Sequence, residues 1–218
     1  MRHTQEPKQR GIKKSLLLIF VFFILPVGCS NPYMMYYNDG YASYEQGKFD
    51  QALVFYTKAI ELKPESYEAY NNRGLVYSEI GMFNEAIADY TKALEINPQC
   101  ALACYNRAVA WYEKKNFNQA IADYTKLLEI DPDDPDAYLN RGIIWQEQGK
   151  YEEAIADYTR ALELNPESAD AYFNKAVICE KLGRTSEAIE AYTHFITYAS
   201  SGEKGIETVK EALKKLKK

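Results

Sequence analysis

Few side chains in this chain could do chemistry. Of its two histidines, His3 sits in a basic N-terminal stretch and His194 stands alone near the other end. No nucleophile, base and orienting carboxylate can be assembled around a single imidazole. The sequence holds no phosphate loop and no dinucleotide fingerprint. Carboxylates are plentiful, but they recur at regular intervals instead of pairing at unique positions. Cys100 and Cys104 are four residues apart. On a helix that step reaches disulfide distance only at the loose end of the allowed geometry. Either they pair in an oxidising compartment, or Cys104 is a small buried apolar residue. Cys179 falls in an interior column and is expected to be buried. With no histidine near these thiols, no metal site, cofactor or enzymatic activity is expected.

The elements that position these residues follow from a repeat of 34 residues. Pro64, Pro98, Pro132 and Pro166 mark it, and so does the alanine column Ala52, Ala86, Ala120, Ala154 and Ala188. Small residues recur at Gly40, Gly74, Ala108, Gly142 and Ala176, and tyrosines at Tyr56, Tyr90, Tyr124, Tyr158 and Tyr192. Five units result: 33–66, 67–100, 101–134, 135–168 and 169–202. Each reads as two helices. The first ends near Gly47, Gly81, Lys115, Gly149 or Gly183, where glycine suits a left-handed helix end. The second starts near Phe49, Phe83, Phe117 or Tyr151 and stops before the proline, which cannot donate to a continuing helix. The small columns let the paired helices approach, and the aromatic columns fill the space between them. No unit buries its apolar face alone, so stacking supplies the core.

The pattern resembles the tetratricopeptide repeat over residues 33–202. The fifth copy departs from it at Thr185, Phe195 and Ser200. The resemblance implies an all-α, right-handed superhelical solenoid whose concave groove binds a peptide or helix of another protein. Carried over, the groove positions fall on Tyr37, Tyr41, Leu75, Tyr105, Val109, Leu139, Ile143, Phe173 and Val177. An acidic rim follows at Glu45, Glu79, Glu113, Glu147 and Glu180. These glutamates either steer a basic partner or are ordinary solvated helix charge. An asparagine column that includes Asn72, Asn106 and Asn140 either bonds a bound peptide backbone or satisfies groups between units, with the structural role favoured. The Lys and Asn clamp by which some family members grip a chaperone's terminal carboxylate is absent, because Tyr37 and Tyr41 occupy its first positions.

The ends differ from the repeat. Residues 1–14 carry five basic residues against Glu6, and residues 16–25 are wholly apolar. That is a secretory signal pattern, too short for a membrane span of about 20 residues. Leu25-Pro26-Val27-Gly28-Cys29 resembles a bacterial lipobox, which implies that 1–28 is removed, Cys29 is lipidated and 29–32 is a linker; the alternatives are an uncleaved anchor and a plain cleaved signal. Ser30 then favours the outer membrane, with the fold in the cell envelope. Without 1–28 the chain carries a net charge of −9, which disfavours nucleic acid as a partner. Residues 203–218 place Ile206, Val209, Leu213 and Leu216 at helical spacing, with lysines on the other side. They are expected to form a helix that caps the last repeat, the alternative being a basic helix that docks on a partner or membrane. The expected function is a membrane-anchored adaptor for envelope machinery, or for proteases or cell-wall hydrolases. In the alternative, a structural oligomer forms, in which Tyr33–Tyr44 of a neighbouring copy fills the groove.

Overall fold

The structure is a computed structural model and describes residues 31–199 and 205–217. The signal segment, Cys29 and Ser200 lie outside these residues. The described residues form eleven α-helices and no strand, in two compact units. The first unit, up to Asp131, holds α1 (Pro32–Glu45), α2 (Phe49–Leu62), α3 (Tyr67–Glu79), α4 (Phe83–Ile96), α5 (Ala101–Glu113) and α6 (Phe117–Ile130). The second, from Pro132, holds α7 (Pro135–Glu147), α8 (Tyr151–Leu164), α9 (Ala169–Lys181), α10 (Thr185–Tyr198) and α11 (Ile206–Leu216).

Local chemistry sets the helix boundaries. Asn31 and Pro32, expected in a linker, instead open α1. The Asn31 side chain accepts from the Tyr33 N–H at 3.0 Å, and Pro32 takes a first-turn position that needs no donor. Ser66, Asp134 and Ser168 cap α3, α7 and α9 in the same way. The turn after each first helix takes a left-handed residue, with glycine φ values from 68° at Gly47 to 78° at Gly81. Only Lys115 does so with a side chain, at φ 60°, which costs roughly 1 kcal/mol.

Each pair closes on its alanine and tyrosine columns. Ala52, Ala86, Ala120, Ala154 and Ala188 are fully buried, as are Tyr56, Tyr90, Tyr124, Tyr158 and Tyr192. The tyrosines lie against the small column of the partner helix. A Cβ on Gly142 would sit 2.6 Å from Tyr158 Cε1, so the pair could not close as tightly with a side chain there. In the second unit, Val209 and Leu213 of α11 are buried in a cluster with Phe173, Tyr192 and Phe195.

Buried polar chains tie neighbouring pairs together. In the first unit Asn106 Nδ2 donates to Asn71 Oδ1 (3.1 Å), Asn71 Nδ2 to Asn72 Oδ1 (3.2 Å), and Asn72 Nδ2 to Tyr37 Oη (2.8 Å). Arg107 makes a bidentate pair with Asp123, at 2.8 and 2.6 Å, and reaches back to Thr91 in the preceding pair at 3.0 Å. Arg73 joins Asp89 and Thr57 likewise. In the second unit Arg141 pairs with Asp157 at 2.8 Å. A planar guanidinium fits this bidentate role.

Candidate functional site

The expected groove floor is largely core. Tyr37, Leu75, Tyr105, Val109, Leu139, Ile143 and Phe173 are all buried, and only Tyr41 and Val177 stay half-buried. The reason lies in direction. Residues four apart share one helix face, and in each pair that face meets the pair's own second helix. Tyr37 sits edge-on to Tyr56 at 5.9 Å, and Tyr105 to Tyr124 at 5.8 Å. Leu139 and Ile143 pack in one cluster with Tyr158. Phe173 lies 5.3 Å from Phe195. Asn72, Asn106 and Asn140 are fully buried too. The bonds of Asn72 and Asn106 to neighbouring helices give them a structural role, so they present nothing to a peptide.

The acidic rim fares differently. Glu45, Glu79 and Glu147 are exposed and Glu113 is half-buried. Each is the last residue of its helix: α1, α3, α7 and α5 respectively. A carboxylate there opposes the helix dipole, at about 0.3–1 kcal/mol each. Local helix energetics therefore disfavour the row. Glu180 does not belong to it: α9 ends one residue later, at Lys181, and the Glu180 carboxylate accepts a hydrogen bond from the Tyr192 hydroxyl at 2.7 Å. In the first unit the row of Glu45, Glu79 and Glu113 runs along the same helices as the half-buried rings of Tyr41, Tyr44 and Tyr112. Burial and the neighbouring carboxylates of Glu79 and Glu45 push the Tyr44 phenol up to about 12. The Lys115 ammonium lies 4.8 Å from the centre of the Tyr112 ring.

Cys100, Cys104 and Cys179 are free, buried thiols, so the possible Cys100–Cys104 disulfide is not formed. Burial pushes the Cys104 thiol up to about 11 and raises Cys179 too, the reverse of what a nucleophile needs. Among the described residues no group of three His, Cys, Asp or Glu is placed to hold a metal ion, and no helix is long and apolar enough to cross a membrane.

The Arg–Asp–Thr network was legible as a pattern. Arg73, Arg107 and Arg141 recur with the same period, and Asp89, Asp123 and Asp157 stand 16 residues after them.

Helix pairs repeating every 34 residues, with a tyrosine and alanine core and no catalytic cluster among the described residues, define a solenoid repeat protein. The tetratricopeptide repeat model matches residues 67–100 and 135–168, a TPR repeat model matches 40–81 and 110–148, and a further tetratricopeptide model matches 157–190. The chain belongs to the tetratricopeptide repeat family.

Solved structures agree on the fold. The MamA protein is 23% identical over 77% of this chain and 91% of its own, with a TM-score of 0.72. A tetratricopeptide repeat protein from Parabacteroides merdae is 23% identical over 86% of this chain and 73% of its own, with a TM-score of 0.73. YrrB, described as a TPR protein with an unusual peptide-binding site, is 24% identical over 75% of this chain and 84% of its own, with a TM-score of 0.66. No curated protein matches the chain.

Proposed function

We propose that this chain is a non-catalytic scaffold, held at a membrane by its N-terminus, that binds a segment of another protein. The observation that carries this reading is the row of Glu45, Glu79 and Glu113 beside Tyr41, Tyr44 and Tyr112. Three carboxylates set against the helix dipoles, next to half-open aromatic rings, suit a basic segment with one or two apolar anchors. The peptide-binding site attributed to YrrB supports a protein partner for this repeat type. The net charge of −9 without residues 1–28 argues against nucleic acid. Anchoring rests on the apolar run 16–25 and on Cys29, and it places the scaffold in the bacterial envelope, at the outer membrane by preference. Its partner pool there is assembly machinery, proteases or cell-wall hydrolases.

The test is a pull-down of detergent-solubilised full-length protein beside a variant with Glu45→Gln, Glu79→Gln and Glu113→Gln, both checked for helicity. A partner lost only from the variant supports the rim, and equal recovery overturns it. Separately, Cys29→Ala should abolish acyl labelling and release the protein from membranes. Unchanged labelling removes the lipid anchor.

One observation favours a second reading, self-association. Met35 and Leu62 of the first pair are 45% and 52% exposed. In the other pairs the column of Met35 is the fully buried Ala69, Ala103, Ala137 and Ala171. A second copy packing there would cover this edge. Met35→Glu should then dissociate a dimer in sedimentation, whereas a monomer at every concentration rejects the reading.

A further inference from the structure

The fifth helix pair, α9 and α10, breaks the side-chain pattern shared by the second, third and fourth pairs at four neighbouring points, and all four changes favour an open, acidic, aromatic-walled cleft. Where the interior pairs carry Asp89, Asp123 and Asp157, it has Ala191. Where they carry Arg73, Arg107 and Arg141, it has Lys175, whose ammonium donates to Thr159 at 3.0 Å. The bidentate pair that fills this place in the second, third and fourth pairs is therefore missing. Where earlier pairs carry Lys58, Lys92, Lys126 and Arg160, the fifth has His194. Where the second, third and fourth pairs carry Ala88, Ala122 and Ala156, it has Glu190.

These changes leave a cleft of about 360 Å³ between residues of α8, α9 and α10. Tyr172 and His194 line it, with ring centres 4.8 Å apart and planes within 16°. Tyr198 lies nearly parallel to both, at 5.9 and 6.2 Å. Glu163, Glu187 and Glu190 line it against the single cation Lys175. Glu163 is already paired with Arg160 at 2.9 Å. Glu187 takes only a 4.0 Å contact from the Cys179 thiol. Neither Glu187 nor Glu190 makes an ion pair among the described residues.

The other pairs show what such a place holds. In the first pair the Lys58 ammonium sits 5.1 Å from the centre of the Tyr36 ring, and Tyr36 is the counterpart of Tyr172. In the fourth, Arg160 and Tyr138 stand at the same two positions. The first pair thus brings its own cation to this tyrosine, and the second and fourth carry Lys92 and Arg160 beside Tyr70 and Tyr138 in the same columns, whereas the third has Cys104 in place of the ring. The fifth removes the cation, adds a carboxylate and keeps the ring.

We infer that this cleft receives one basic side chain of a protein partner, arginine by preference, lying along Tyr172 and His194 and paired with Glu190 and Glu187. A guanidinium matches both requirements: its plane lies flat on an aromatic ring, and its forked donors meet a carboxylate. Lysine meets the charge requirement without the plane. The site is separate from the Glu45, Glu79 and Glu113 row and stands whether or not that row binds anything.

The probe is N-acetyl-arginine methylamide, titrated into the full-length chain in detergent with ring-labelled histidine. His194 then reports by nuclear magnetic resonance: it is the one histidine of a chain processed at Cys29, and in the unprocessed chain His3 serves as an internal control. The expected result is a saturable shift of the His194 resonances alone, with a Kd on the order of 1 mM. The lysine analogue should bind more weakly, and the neutral citrulline analogue, of the same shape, should not bind. Glu190→Ala installs the residue that the second, third and fourth pairs carry, so it is compatible with the fold. It should weaken binding about tenfold, the loss of one charge contact. The rim variant should bind as the parent does. A citrulline response equal to that of arginine, an unchanged affinity in a helical Glu190→Ala variant, or no saturable shift at all would each overturn the inference.

Discussion

Asp123→Ala tests whether the repeating Arg–Asp pairs hold the helix pairs together. Asp123 is 7% exposed and Arg107 19%. The guanidinium donates twice to the carboxylate, at 2.8 and 2.6 Å, and once to Thr91. Removing the carboxylate leaves a mostly buried cation with one neutral partner. Breaking such a pair costs about 3–5 kcal/mol. The partial exposure of Arg107 lets water reach it, so the lower end, about 3 kcal/mol, is expected. That is roughly a 150-fold fall in the folding constant. The assay is urea unfolding followed by helical circular dichroism, comparing midpoints and slopes, because the pairs of a repeat protein can unfold in stages. Replacing both partners by apolar residues, Arg107→Met with Asp123→Leu, should recover most of the loss, since no charge is then stranded. Lys92→Ala, which breaks the exposed contact to Glu95, should cost under about 0.5 kcal/mol. A loss below about 1 kcal/mol for Asp123→Ala, or a double variant weaker than the single, would refute the reasoning.

Tyr90 is fully buried, so Tyr90→Ala should cost about 3–5 kcal/mol in the same assay, and a loss under about 1 kcal/mol would mean that the pair repacks around the gap. Alkaline pH should unfold the chain cooperatively. Burial holds Tyr44 at about 12 and pushes Tyr37, Tyr56, Tyr90 and Tyr192 higher. Because these folded values lie above the ordinary value of about 10, the stability they contribute is complete below pH 10 and lost as the pH rises beyond it. Tyrosinate absorbance and helix loss should then coincide, whereas phenolate appearing without helix loss would contradict this. Cys100, Cys104 and Cys179 are buried. They should resist a thiol reagent at pH 7 and react in urea, and rapid native labelling would place them at the surface.

The architecture follows from the repeat alone. Prolines, glycines, alanines and tyrosines recurring every 34 residues act within one helix pair, through turns, close approach and ring packing. The helix starts at Phe49, Phe83, Phe117 and Tyr151 and the turns at Gly81 and Gly149 were therefore legible. The acidic positions were legible as a row, apart from Glu180, whose bond to Tyr192 depends on the next helix. The groove floor was not legible. Helical spacing shows that Leu139 and Ile143 share a face, but not whether that face meets solvent or a neighbour. Tertiary packing turned it onto Tyr158. The cleft at Tyr172 and His194 was hidden for a related reason. Each of its substitutions, Asp to Ala191 and Lys or Arg to His194, is unremarkable alone. Only when α8, α9 and α10 come together do the lost side chains leave one shared space. A period in sequence reports what each repeat has in common, whereas a binding surface forms where packing brings together the positions at which one repeat differs.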